Sequence, residues 1–244
     1  MREFLCSSGA LNADEIFHGV LNNDYRFYSY LNRRVQEDPN LIYPILQKEC
    51  FYEYIAWLLD CSKGGEVVAD VKYKNFNLLS SSYSLIPQEP FFIEFLRVTS
   101  PKVIHVRRRN KLAIILSRKI SELTGMWAAS HVEERPVYGD KIVLDAKSIL
   151  DEIKSMNDEE ELADRMLRSA CYVHEIYYEE MFEGSNFSSA VFAVANELLP
   201  GQILSKKPAN VKMNIKKLSE IVANDNEVTS AFIDAGYGWM LDLK

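Results

Sequence analysis

Near the middle of the chain, a few polar residues have the types and spacing to hold a phosphate. Arg109 and Asn110 stand side by side, and Ser117 follows eight residues after Arg109. Arginine presents a planar fork of charged donors and serine a neutral hydroxyl, and together these suit the oxygens of a phosphate. The local charge agrees, because Arg107, Arg108, Arg109 and Lys111 form one basic cluster in an otherwise acidic chain.

The elements that must position these residues are legible between 102 and 127. Lys102 to Val106 is a short β-branched run that reads as a buried strand. Asn110 is a good helix N-cap, and Leu112, Ile115, Leu116, Ile120 and Leu123 recur at helical spacing up to Thr124-Gly125, a C-terminal stop. A strand end that feeds a helix start is where α/β proteins gather ligands, because strand carboxyl ends and helix amides converge there. Ser117 would lie roughly 10 Å along the helix, within reach of an arginine at the strand end. The plainer reading of the same stretch is a solvated element boundary.

Composition bounds the rest. The 244 residues are 48% hydrophobic and 26% charged, ordinary for a globular protein with its own core, and one α/β domain over 1–244 is the simplest organisation. A net charge of −7 argues against a broad nucleic-acid-binding face, yet leaves room for one anionic nucleotide at the basic cluster. Cys6, Cys50, Cys61 and Cys171 are scattered, form no C-x-x-C pair and complete no metal site with histidine, which suits free thiols in the cytoplasm. No signal peptide and no apolar run near 18 residues is present, so no integral membrane segment is expected.

Along the chain, residues 2–9 read as an amphipathic helix with a glycine stop, and 45–59 as a helix inside a Tyr- and Phe-rich region, 20–62. Those aromatics could stack on sugar rings, but core packing accounts for most of them. Strands are expected near 67–72, 102–107 and 174–178. Helices are expected at 91–98, 145–171, 188–199, 215–223 and 227–235, and the acidic run Asp158 to Glu161 reads as a solvated turn. This alternation predicts a three-layer α/β fold, a mainly parallel sheet flanked by helices.

With Arg109, Asn110 and Ser117 in place, the continuation Ser-Arg-Lys-Ile-Ser-Glu-Leu-Thr-Gly-Met-Trp (117–127) resembles sulfotransferases that use 3′-phosphoadenosine 5′-phosphosulfate (PAPS), in particular the bacterial carbohydrate enzymes of the trehalose-sulfotransferase type. In these, Arg-Asn at a strand end and a Ser eight residues on bind the 3′-phosphate, and a Thr-Gly-x-Trp closes the helix. The resemblance implies the P-loop NTPase-like sulfotransferase fold, with Arg109, Asn110 and Ser117 as nucleotide-binding residues. It also matches Glu15 to the family's proposed general base, with His18 as an alternative base or a packing residue. Lys72 or Lys74 matches a lysine-containing strand end loosely. Lys212 and Asn214 match a basic loop that closes over the nucleotide, although the same stretch reads as a polar helix start. Tyr178, Glu179, Glu180 and Met181 match a family strand end and are taken as structural. The loop 128–141 would border the acceptor.

One departure is marked. The family begins with a strand and a Ser/Thr- and Gly-rich loop that holds the 5′-phosphosulfate on helix amides. Met1 falls about one turn past that loop, so the reading expects a shortened N-terminus: a start assigned too late, a trimmed chain, or a relative without full activity. The first strand is normally central, and its loss would leave neighbouring strands with unpaired ladder groups.

The resemblance implies transfer of a sulfuryl group from PAPS to a hydroxyl of a carbohydrate or glycolipid, without a metal, and allows a homodimer. Two alternatives stay open: a non-catalytic nucleotide-binding relative, and a P-loop kinase-type enzyme, although no G-x-x-x-x-G-K-[ST] is present.

Overall fold

The computed structural model describes residues 1–79, 89–127, 141–202, 204–205, 207–208 and 217–243, and these form a mixed α/β arrangement with short parallel strand pairs. Helix α1 (Arg2–Cys6) ends at a turn in which Gly9 takes φ +97°, and the chain then enters β1 (Leu11–Glu15). The sequence gives no hint of this strand, because Leu-Asn-Ala-Asp-Glu lacks β-branched and aromatic residues. Pairing overrides propensity: β1 runs parallel to β2 (Val67–Asp70), with a bulge between Asn12 and Asp14, and Ala13 is fully buried.

Between them lie α2 (Phe27–Glu37), whose Phe27, Leu31 and Val35 recur at helical spacing on the face turned to the core, and α3 (Pro44–Cys61). Phe27, Phe51 and Tyr54 are completely buried, and Phe17 stacks on Phe51 with ring centroids 5.3 Å apart. These aromatics therefore build core. Ile45 and Leu59, apolar residues of α3, are exposed.

Helix α4 (Phe91–Thr99) leads to β3 (Val103–Arg107), and α5 (Lys111–Thr124) follows. The Oδ1 of Asn110 accepts a hydrogen bond from the Ala113 amide at 3.0 Å, and Gly125 closes the helix at φ +70°, as the residue types require. Leu112, Ile115, Leu116 and Ile120 are buried, whereas Leu123 is exposed. Asp145 caps the long α6 (Ala146–Ala170) through the amides of Lys147 and Ser148. Then β4 (Val173–Tyr177) pairs in parallel with β3, Val103 opposite Val173 and Arg107 opposite Tyr177. The small hairpin β5 (Phe182–Glu183) and β6 (Asn186–Phe187), α7 (Ser189–Leu198), α8 (Leu218–Ile221) and α9 (Asp225–Asp234) complete the described elements.

Alternate strand residues face two clusters. Ala13, Val67, Val103 and Val173 contact the aromatic core built with α3 and α4, while Val68, Ile104 and Ile176 contact Phe4, Leu5, Val191 and Leu198. A third cluster joins α5, α6 and α9 to Met240. No helix among the described residues is long and apolar enough to cross a membrane.

Candidate functional site

Both strand pairs point the same way. Glu66, just before β2, lies 4.0 Å from Lys102, just before β3, and Tyr73, just past β2, hydrogen-bonds His105 in the middle of β3. Glu15 and Arg109 therefore stand at the same carboxyl edge, on different strand pairs.

The basic cluster is largely neutralised from within. Arg107 donates to Glu160 at 2.9 Å and lies 3.4 Å from Glu175. Lys111, only 3% exposed, places its Nζ 2.5 Å from Glu160 Oε2 and donates to the Arg108 carbonyl. Glu160 is thus buried between two cations. That corrects the reading of Asp158 to Glu161 as wholly solvated: one residue of the run faces inward where α6 crosses β3. A charge run viewed alone carries no sign of which turn meets a partner.

Arg109 lies half-exposed. Its guanidinium sits 3.7 Å over the ring of Tyr177 and 2.5 Å from Glu180 Oε1. Arg108 lies 4.4 Å over Tyr178, and its buried Nε has no hydrogen-bond partner among the described residues. Among the described residues no carboxylate forms an ion pair with Arg108. Burial draws its pKa down, against the opposing influence of Tyr178 and Glu179. Ser117 is half-buried in the second turn of α5 and has no hydrogen-bond partner among the described residues. These free donors suit a phosphate; the carboxylates nearby oppose one.

Asn110 is committed to the protein. Besides capping α5, its Nδ2 donates to the carbonyls of Met240 at 2.9 Å and Asp242 at 2.8 Å, tying the C-terminal turn to the helix start. The amides of Arg109 and Asn110 donate to the Glu179 carboxylate at 3.1 and 3.0 Å. Burial works to raise the Glu179 pKa, and these backbone donors with Arg108 outweigh it and hold the carboxyl below its usual range. Glu179 thus holds the amides where the strand turns into α5. The sequence signal for it was the Tyr-Glu-Glu-Met match, whose structural role the contacts now specify.

At the other strand pair, Glu15 ends β1 half-buried, with no side-chain partner among the described residues. Its neighbour Asp14, at φ +59°, carries the charge pairing instead, with Arg2 at 2.6 Å and with Arg26. His18 Nδ1 accepts from the Val20 amide at 3.1 Å and lies 3.2 Å from Arg26, so that nitrogen is occupied in a turn. Lys72 and Lys74 are exposed. Lys212 and Asn214, and the loop 128–141 as far as residue 140, lie outside the described residues.

A linked relay went unread in the sequence. His105, 3% exposed, has Nε2 2.6 Å from Tyr73 Oη and Nδ1 3.2 Å from Asp164; Asp164 holds Arg168 at 2.9 Å, and Arg168 reaches Glu175. Its members come from β3, β4, α6 and the turn after β2, too far apart in the chain for any spacing to reveal. Among the described residues no three His, Cys, Asp or Glu side chains gather as a metal site.

No family model, curated protein or solved structure matches this chain.

Proposed function

We propose that this chain is a PAPS-dependent sulfotransferase-type domain of three-layer α/β architecture, acting in the cytoplasm on a hydroxyl of a carbohydrate or glycolipid. One observation carries the reading: Arg109 stands half-exposed at the end of a parallel strand, immediately before an Asn110-capped helix on which the Ser117 hydroxyl has no partner among the described residues. That is the strand–turn–helix context in which a charged fork and a hydroxyl can grip a 3′-phosphate.

In this reading Arg109 exchanges Glu180 for the phosphate, and Ser117 supplies the second donor. Arg108 adds positive charge beside them. Glu15 takes the proton of the acceptor hydroxyl as its oxygen bonds to sulfur. The bond from sulfur to the bridging phosphate oxygen breaks in line, releasing 3′-phosphoadenosine 5′-phosphate. Positioning and charge neutralisation supply most of the acceleration. The contribution of Lys212 and Asn214 is closure over the nucleotide.

A second reading, a relative that binds nucleotide without transferring, is favoured by Glu179 and Glu180, two carboxylates at the proposed anion site. Incubation with PAPS and a panel of sugar acceptors separates the two. Release of 3′-phosphoadenosine 5′-phosphate that needs an acceptor supports transfer, while binding without release supports the second reading.

A further inference from the structure

Helix α3 opens on an apolar run turned to water. Ile42, Tyr43 and Ile45 are 67%, 61% and 77% exposed, and Pro44 among them is exposed as well. A run of exposed apolar residues is a liability unless a partner covers it. The apolar surface continues along the helix, because Tyr52 and Leu59 follow Ile45 at seven-residue steps and both are exposed. Ala56, also exposed, lies between them. At ~1.5 Å per residue the seam from Ile45 to Leu59 is roughly 21 Å long.

Carboxylates border the seam on both sides. At ~100° per residue, Glu49, Glu53 and Asp60 lie roughly 40–80° round the helix from Ile45. Glu53 pairs with Arg34 at 3.1 Å, whereas Glu49 and Asp60 form no salt bridge among the described residues. Lys48 lies on the opposite side of the seam, 5.4 Å over the Phe91 ring, which places α4 there. The Tyr52 ring spans the two helices, 5.8 Å from Phe91 and 5.7 Å from Phe95. Val98, one turn beyond Phe95, is exposed and widens the apolar surface. Glu94, exposed and without a salt bridge among the described residues, borders this side; burial first, and then its charge, raise the Tyr52 pKa.

We propose that this surface docks a basic amphipathic helix of another protein, whose apolar stripe lies along Ile45, Tyr52 and Leu59 and whose Lys or Arg side chains meet Glu49, Asp60 and Glu94. The seven-residue repeat is the spacing that lets a second helix keep one stripe in contact. A helix face has its backbone groups paired within the helix, so it offers no ladder to an extended strand. Charge then selects the partner. A second copy carries the same carboxylates, and laid antiparallel it would set its Glu49, Glu53 and Asp60 against their counterparts. An anionic membrane surface is repelled by the same groups. This inference does not depend on the sulfotransferase reading, since it uses none of Arg109, Ser117 or Glu15.

Fluorescence anisotropy tests it with a labelled probe peptide of about three heptads, Leu at the first and fourth positions of each and Lys beside them. A scrambled peptide of the same composition is the control. The 244-residue chain should bind the amphipathic peptide at least ~tenfold more tightly than the scrambled one. Ile45→Ser and Leu59→Ser should each weaken that binding by about fivefold or more, whereas Leu162→Ser, at an exposed apolar position on α6, should leave it unchanged. Glu49→Gln combined with Asp60→Asn should weaken binding and reduce its sensitivity to salt. Urea midpoints check that each variant is folded. Equal affinity for the two peptides, or equal losses with Ile45→Ser and Leu162→Ser, would overturn the proposal. So would concentration-dependent self-association abolished by Ile45→Ser, which would place a second copy on this surface. Sedimentation with phosphatidylcholine–phosphatidylglycerol vesicles abolished by the same change would assign the surface to a membrane and overturn it too.

Discussion

Arg109 and Glu180 pair at 2.5 Å across the ends of β3 and β4, both side chains about half exposed. A pair so open to water is worth only ~0.2–1 kcal/mol, and a charged hydrogen bond to phosphate more, so Arg109 can change partners at little cost. Glu180→Gln is therefore expected to tighten 3′-phosphoadenosine 5′-phosphate binding by up to about fivefold. Arg109→Ala should weaken it by ~1.5–3 kcal/mol, about ten- to 150-fold. Calorimetric titration of both variants measures the two shifts, and opposite signs are the expected outcome.

Lys111 and Glu160 test a different part of the account. Lys111 is nearly inaccessible and Glu160 serves both it and Arg107. Glu160→Gln leaves two cations short of a partner and is expected to cost ~3–5 kcal/mol in urea denaturation, the usual penalty for breaking a buried pair. Glu159→Gln, on the exposed side of the same turn, should change stability by less than ~0.5 kcal/mol.

Stability should respond to pH through His105. Burial, only partly offset by Asp164, holds its folded pKa below the ordinary value of 6.5. Below about pH 6.5 the unfolded chain therefore takes up a proton that the folded chain refuses. Folding stability is expected to fall as the pH drops through and below that value, and His105→Gln should flatten this part of the profile. Asp164, Asp14 and Glu179 have folded pKa values lowered by their partners against the opposing effect of burial. Their contribution is present above about pH 4 and is lost on further acidification. Denaturant midpoints between pH 3 and 8 check both windows.

Glu15 separates catalysis from folding. With no side-chain partner among the described residues, Glu15→Gln should alter stability by less than ~0.5 kcal/mol. If it is the base, turnover should fall by roughly 10²–10⁴-fold. Unchanged turnover in an active preparation would remove Glu15 from the mechanism.

The parts of the molecule that follow local rules were readable in advance. Asn110 and Gly125 bound α5 because capping and left-handed geometry are decided within a few residues, and the Val-rich runs of β2 and β3 declare themselves. Fold class, as alternating strands and helices, followed from these. What stayed hidden depends on distant partners. Strand β1 exists because Leu11 and Ile16 bond to Glu66 and Asp70 across more than fifty residues of chain. Glu160 is buried because β3 delivers Arg107 and Lys111 to it, and Asn110 proved to hold the C-terminal carbonyls of Met240 and Asp242. For the candidate site, spacing supplied Arg109 and Ser117, and the family resemblance supplied Glu15; the resemblance also named Glu179 and Glu180, but as structural residues, with no sign that Glu179 binds the Arg109 amide and Glu180 its guanidinium.

The most direct test of the central claim is calorimetric titration of this chain with 3′-phosphoadenosine 5′-phosphate, with adenosine 5′-monophosphate as the control. The account predicts binding that requires the 3′-phosphate and is weakened by both Arg109→Ala and Ser117→Ala. Equal affinity for the two nucleotides, or binding indifferent to Arg109, would contradict it.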